Sequence, residues 1–491
     1  MNPDSTSAVS SAPGVMLLSV ARAWRSSGEA GTTAQSVNIR LCIFLIYYFS
    51  LCDSALKFGP PQIAIVLRYL PEALLYFFAL LLLFKRMRVL SFPLFWPLCL
   101  CAATMTASGL LNSTSMLGVA GDFRIYFRFV AFTYILWRTH ITPRRIEQLI
   151  NGFLGLTVIE LAIGGLELIG GKSVQDFFSP ALGWGSGQTM VWENPIATAG
   201  IWVNGTFSNN NFFGIFMVAS CVLALTAYLV KGGPGHLWIT LGAAIGVIAS
   251  FSRHSAAILF IAIVLLFVLH RKRSSTTLKL RRILLPAAMA SLLVLAIAAS
   301  NGSLRDRIGS SFSQQSLAGD PIANIRLFMT LELTPRFLRA YPFFGQGPIP
   351  PDQAVQPGEQ DTSKGPALKA APELPGWVTF YLADVVWIMV LGLYGCVGLA
   401  AFGYVFWTIA AAARKVIREN RNPESVAAAR ACLVLIVVTV LSGFFSEEVI
   451  ARDMIPVFWV FAGMILSLAR STSPRLSGPV QSRSLLFESK L

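Results

Sequence analysis

Four arginines stand where arginine is least expected. Arg124 and Arg128 fall inside one apolar run, Arg253 interrupts the junction of two others, and Arg326 begins a helical stretch between long apolar segments. A charged side chain near the centre of a membrane span costs at least about 2.5 kcal/mol, so one that persists there is paired or functional. Arg124 and Arg128 are four positions apart and share a helix face. That face serves equally for binding a ligand, for snorkelling to headgroups or for pairing with Asp122. Arg253 lies in Ser252-Arg253-His254-Ser255, which also reads as a simple helix-hairpin turn, and Arg326 also reads as a solvated loop residue. Where four guanidiniums converge they make a site for a polyanion, because each fork matches phosphate oxygens bidentately. A lipid-linked pyrophosphate meets the hydrophobic and the polar requirement together, its tail entering the bundle sideways and its head facing the outer loops.

The elements that must position these residues are membrane spans. Of 491 residues 55% are hydrophobic and 13% charged, about half the charge of a soluble domain, which excludes a soluble enzyme, a disordered chain and a disulfide scaffold. Runs long enough to cross about 30 Å of hydrocarbon fall near 40–56, 66–84, 92–111, 119–137, 149–169, 211–230, 237–252, 255–270, 283–299, 383–410, 432–446 and 454–469. The expectation is an all-α polytopic membrane protein of about twelve transmembrane helices. With both termini in the cytoplasm, the inside segments hold twenty-five of the 39 basic residues and six of the 24 acidic ones, as the positive-inside rule requires. Topology and lipid headgroups thus account for the net charge of +15, and no nucleic-acid partner is expected.

The spans divide the chain into a disordered tail 1–37, nine spans over 38–299 with an outer loop 170–210, and a large outer loop 300–382. Three spans over 383–470 and a tail 471–491 complete it. Within the large loop, Arg305 to Pro342 reads as a helical subdomain and Pro348 to Pro375, with seven prolines, as a flexible strap. The apolar stretch Val15 to Val20 is too short for a signal-peptide core, so no cleavable signal is expected.

Smaller signals have plain readings. Cys42, Cys52, Cys99, Cys101, Cys221, Cys396 and Cys432 lie in or beside apolar runs and read as small buried hydrophobes, and Cys99-x-Cys101 lacks further ligands for a metal. Gly242-x-x-x-Gly246 reads as a close helix contact. Asn204-Gly205-Thr206 fits a glycosylation sequon that presumes a eukaryotic secretory route. Trp184, Trp192 and Trp202 read either as sugar-stacking residues or as interfacial aromatics.

Four segments in order resemble the bacterial O-antigen ligase and polymerase superfamily. They are Gly205-Thr206-Phe207-Ser208-Asn209-Asn210-Asn211-Phe212-Phe213-Gly214, then Phe251-Ser252-Arg253-His254-Ser255, then Arg326 with Tyr341-Pro342-Phe343-Phe344-Gly345-Gln346-Gly347, and last Asp384 with Gly392-Leu393-Tyr394-Gly395-Cys396-Val397-Gly398-Leu399. The resemblance covers roughly 200–400. It implies a GT-C-like fold and a membrane glycosyltransferase that moves a glycan from undecaprenyl pyrophosphate to an acceptor hydroxyl at the periplasmic face of the inner membrane, with no metal and no cofactor. Its partners would be the lipid-linked glycan, membrane lipids, and flippase and chain-length regulator proteins.

By motif position the pyrophosphate role carries onto Arg253 and Arg326, and by topology onto Arg124 or Arg128. The ligase branch uses a histidine in or after the large outer loop, but the last histidine here is His270 and the corresponding position carries Asp384. That departure favours a polymerase, of the O-antigen, capsule or exopolysaccharide type, over a ligase that transfers glycan to lipid A core. Asp384 is then the candidate catalytic base beside Arg253 and Arg326, although a helix N-terminus also favours an acidic residue on its own account. Glu447, Glu448 and Asp453 are alternative bases, His254 is either a second acid-base group or a turn residue, and Glu160 and Glu167 lie deeper in the fifth span. A reading of another class is a lipid-linked oligosaccharide flippase, which the lack of a visible internal repeat and the polar mass in two outer loops disfavour.

Overall fold

The computed structural model describes residues 30–56, 58–85, 89–114, 116–139, 141–178, 203–207, 209–270, 331, 334–348, 385–445 and 455–472. Among these residues there are thirteen helices and no strand. They are α1 (Ala30–Leu56), α2 (Pro61–Lys85), α3 (Phe95–Leu111), α4 (Met116–Phe127), α5 (Val130–Arg138), α6 (Pro143–Phe178), α7 (Asn210–Lys231), α8 (Pro234–Ala249), α9 (Arg253–His270), α10 (Thr334–Ala340), α11 (Val386–Glu419), α12 (Pro423–Ser442) and α13 (Ile455–Thr472). Seven of the described helices are long and apolar enough to cross a membrane, and α1, α3 and α8 contribute shorter apolar stretches. The chain is therefore an all-α polytopic membrane protein. The run at 283–299 lies outside the described residues, as do 349–375 of the strap and residues 1–29 and 473–491 of the tails, and the expectation of a disordered tail 1–37 is corrected at its end, where residues 30–37 already belong to α1.

The helices follow the apolar runs closely, with one departure. The fourth run, expected as one helix over 119–137, is two helices, α4 and α5, separated by a turn at Arg128–Phe129. Helix α6 is kinked at Gly171 and α11 at Gly395, both with positive φ. Pro71 sits inside α2, where its missing N–H leaves the Leu67 carbonyl without a helical donor. Tyr48 on α1 donates its hydroxyl to that carbonyl at 2.9 Å, since in hydrocarbon no water can serve instead.

Two buried columns organise the bundle. Helix α7 is wrapped by α6, α8, α9 and α12. It starts on an Asn209 side chain that accepts from Phe212 N at 2.9 Å and stops at Gly232, whose left-handed backbone (φ 73°) returns its N–H to Tyr228 O at 2.7 Å. Gly242 and Gly246 let α8 approach Leu161 of α6 and Met217 of α7, as the small-residue spacing suggests. Helix α13 is wrapped by α1, α5, α11 and α12. Gly463 there admits the Thr133 backbone of α5, and Thr133 Oγ1 donates to Trp459 O at 2.7 Å. Helices α2 and α9 instead expose rows of large apolar side chains, among them Ile65, Val66 and Phe77 on α2 and Phe260, Val264 and Val268 on α9.

Short turns make the neighbours antiparallel, so one end of the bundle collects residues 56–61, 111–116, 203–210, 249–253 and 443–445. The opposite end holds Arg138, Arg144, Arg145, Lys231, Arg414, Lys415, Arg418 and Arg421. There Lys231 bridges Glu147 at 2.7 Å and Glu424 at 3.5 Å. The cysteine reading needs a correction. Cys42, Cys101, Cys221 and Cys432 are buried, but Cys99 and Cys396 are exposed on the helix surface. A bilayer-facing position and a core position are both apolar, so hydrophobic surroundings in sequence do not separate them.

Candidate functional site

The first two sequence motifs form one construction at the motif end of the bundle. Two buried carboxylates on α6, Glu160 and Glu167, seize the backbone that leads into α7. Glu167 Oε2 accepts from Asn204 N at 2.8 Å and Gly205 N at 3.0 Å, and Glu160 accepts from Thr206 N at 3.0 Å and Thr206 Oγ1 at 2.5 Å. Helix α1 adds Ser54 Oγ, which donates to Thr206 O at 3.1 Å, and places Ser50 O 2.9 Å from Thr206 Oγ1, where it shares with Glu160 the one hydrogen of that hydroxyl. Gly205 is required there: its φ is 59° and a Cβ would run into Glu160. These bonds set the start of α7, where Asn210 Nδ2 donates to Ser250 O at 2.8 Å and Gly214 leaves room for the Ser250 and Ser255 hydroxyls.

The turn so anchored is the one that carries Arg253. Ser252 Oγ meets Ser255 Oγ at 2.7 Å and His254 Nδ1 at 3.1 Å, which closes the polar break between α8 and α9. Phe251 is held at φ 53°, an uncommon conformation for a residue with a Cβ. The His254 ring stacks on Phe445 after α12, with centroids 6.1 Å apart and planes within 18°. Arg253 itself is exposed at the first position of α9, where the positive end of the helix dipole adds to its charge. The start of α11 abuts the same region, since Trp387 Nε1 donates to Val440 O at 2.7 Å and Trp387 N approaches Gly443 O at 3.5 Å.

The third and fourth motifs form a second construction by exchanging backbone bonds. The kink at Gly395 opens α11, and residues 342–347 enter the gap. Cys396 N donates to Pro342 O at 2.9 Å and Val397 N to Phe343 O at 3.1 Å, while Gln346 N donates to Gly392 O at 2.9 Å and Gly347 N to Leu393 O at 3.0 Å. Two N–H and two C=O groups of the broken helix thereby find partners, as a non-aqueous interior demands. Gly345 and Gly395, both at φ 66°, face each other's strand of backbone, and a Cβ on either would collide with it. From α3, Ser108 Oγ adds a bond to Leu393 O at 2.7 Å and Asn112 Nδ2 one to Gly345 O at 3.1 Å. Residues 334–348 therefore pack into the bundle, with Phe337 of α10 against Gly392.

The remaining arginines lie on and after α4. Arg124 forms a two-point ion pair with Glu72 of α2, Nε to Oε1 and Nη2 to Oε2, both at 2.8 Å. Asp122, the partner considered from sequence, instead accepts from the Tyr394 hydroxyl. Arg128 falls in the turn between α4 and α5, with its guanidinium 5.0 Å from the Phe129 ring centre. The structure thus joins Arg253 to the Asn210 and Phe445 turns, and Arg124 to Glu72. Arg326, Asp384, Glu447, Glu448 and Asp453 lie outside the described residues, as do Trp184, Trp192 and Trp202. In sequence Asp384 directly precedes Val385, the residue that caps α11, and Glu447 follows Phe445 by two positions.

Sequence reasoning passed over Glu72, although an acidic residue beside a proline in an apolar run was the available signal. It also passed over Ser108 and Asn112, which carry no comparable mark.

No curated protein matches the chain. Residues 238–403 match the family model described as O-antigen ligase, a range that holds the Arg253 turn and both halves of the backbone exchange. This match, over about a third of the chain, supports its likeness to the O-antigen ligase and polymerase superfamily, a family that implies a membrane enzyme of the glycosyl-transfer type.

Proposed function

We propose that the protein is a polysaccharide polymerase that joins oligosaccharide repeat units carried on undecaprenyl pyrophosphate, at the periplasmic face of the inner membrane. The observation that carries the reading is the Arg253 turn: an exposed guanidinium at a helix N-terminus, fixed by Asn210, Ser252 and the His254–Phe445 stack, within the matched domain. Such a group suits a phosphate-bearing leaving group. In the reaction an acceptor sugar hydroxyl attacks the anomeric carbon of the donor glycan. Its proton passes to the Asp384 carboxylate, the carbon–oxygen bond to pyrophosphate breaks, and the electron pair leaves with undecaprenyl pyrophosphate, held by Arg253, Arg326 and Arg124 or Arg128. A single displacement inverts the anomeric centre.

The polymerase reading rests on Asp384 standing after the large outer segment where a ligase-type histidine is absent, the last histidine being His270. The description of the matched family favours the second reading, a ligase. The test is deletion of the gene and complementation with wild type, Arg253→Ala or Asp384→Asn, with lipid-linked and surface glycans resolved by size. A polymerase gives single repeat units in place of long chains, and both variants fail at normal protein level. Long chains that remain on undecaprenyl pyrophosphate mean a ligase. Units trapped on the cytoplasmic leaflet mean a flippase and overturn the catalytic roles.

A further inference from the structure

The Glu72–Arg124 pair is built unevenly. The Glu72 side chain is 5% exposed and the Arg124 side chain 47%. The carboxylate is therefore sunk in the bundle while the guanidinium faces outward. Glu72 occupies Nε and one hydrogen of Nη2, the side of the fork, at 2.8 Å each. Both hydrogens of Nη1 and the second of Nη2 remain along the far edge. The Tyr69 ring, 5.6 Å from the guanidinium carbon, flanks the group on α2.

The surroundings of that open edge are those of a bilayer-facing surface. Ile65, Val66 and Tyr69 on α2 and Leu117 and Ile125 on α4 are all exposed. Glu72 lies eleven residues into α2 and Arg124 eight residues into α4, about 16 Å and about 12 Å along the two helix axes from the motif end at 1.5 Å per residue. Helix α2 packs on α1 and α5 and α4 packs on α3, and the ion pair spans from α2 to α4. Donors open toward lipid are met by lipid headgroups or by a ligand's acceptor that arrives from the bilayer. A brace between two helices would bury the arginine along with its partner; this one presents it.

We propose that Glu72 is a positioning residue. It holds Arg124 so that the open edge of the guanidinium meets the phosphates of a polyprenyl-pyrophosphate donor that arrives from the bilayer between α2 and α4. This rests on the pyrophosphate reading above and adds to it a fixed point of entry. Orienting the fork beforehand removes the entropy that a free arginine side chain would lose on binding.

The test measures binding of undecaprenyl pyrophosphate to the purified full chain in nanodiscs, together with its thermal stability without ligand. Glu72→Gln, which keeps the shape and removes the charge, is expected to weaken binding about tenfold or more. The exchanged pair Glu72→Arg with Arg124→Glu re-forms an ion pair and is expected to recover wild-type stability but not binding. If the exchange restores both, the pair is a brace and the proposal falls. Wild-type affinity in Glu72→Gln overturns it as well, and leaves the pyrophosphate reading intact. A wild type that does not bind undecaprenyl pyrophosphate overturns both together.

Discussion

Replacing Gly395 by alanine tests whether the backbone exchange is what holds the broken helix. Gly395 has φ 66° and ψ −169°, a combination that is nearly glycine's alone and costs another residue about 1–3 kcal/mol. The new Cβ would also stand 2.6 Å from Phe344 N and closer still to the Phe343 carbonyl group, so residues 342–347 must withdraw. Their four bonds to α11 are worth about 1 kcal/mol each, and losing half of them brings the total to at least about 3 kcal/mol. Gly403→Ala is the control on the same helix, since nothing lies within 4 Å of its Cβ position; it should be neutral or stabilising by up to about 1 kcal/mol. The assay is thermal unfolding in detergent with amide hydrogen exchange followed in peptides covering 342–347 and 392–397. Gly395→Ala should lower the melting temperature and speed exchange in both peptides together. Exchange at the wild-type rate in either peptide would refute the argument.

Two further outcomes follow from single contacts. Glu160→Ala leaves the buried Thr206 N–H without its acceptor, which should destabilise the protein by about 1–3 kcal/mol and speed exchange of the Thr206 amide, read by the same method. Tyr48→Phe should destabilise by about 1 kcal/mol because the Leu67 carbonyl then has no donor. In a Pro71→Ala background the restored N–H serves that carbonyl, so the same change should cost measurably less; equal costs in both backgrounds would show that the Tyr48 bond does not compensate for the proline.

Much of the scaffold is legible in the sequence because hydrocarbon imposes one rule on every span. The runs at 211–230 and 454–469 become Asn210–Lys231 and Ile455–Thr472 almost unchanged. Apolarity marks where a helix crosses, but it does not mark where a helix breaks. The Arg128–Phe129 turn lies within one long apolar run, which by itself reads as a continuous helix. The site divides in the same way. The motif containing Arg253 stands out as a polar break, whereas its attachment to Asn210 is a side chain to backbone bond between residues forty apart. The pairing of 342–347 with 392–397 is carried by main-chain atoms, which every sequence possesses, and its side-chain trace is the pair of glycines. Glu72 stands in an apolar run as the arginines do and the same cost argument marks it, but only the fold shows that its partner is Arg124, 52 positions away.

The interlock at Gly395 bears on how relatives of this chain can recombine. Its four bonds are indifferent to side chains, so the segments around the two glycines are free to diverge, but Gly345 and Gly395 must be inherited as one character fifty positions long. A chimera with its crossover between 348 and 391 would set one parent's loop against another's helix and work only where both parents carry the pair. A crossover at the Gly232–Gly233 turn keeps the two glycines together but parts Asn210 from Ser250 and Asn112 from Gly345, so it demands parents that share those two asparagines as well.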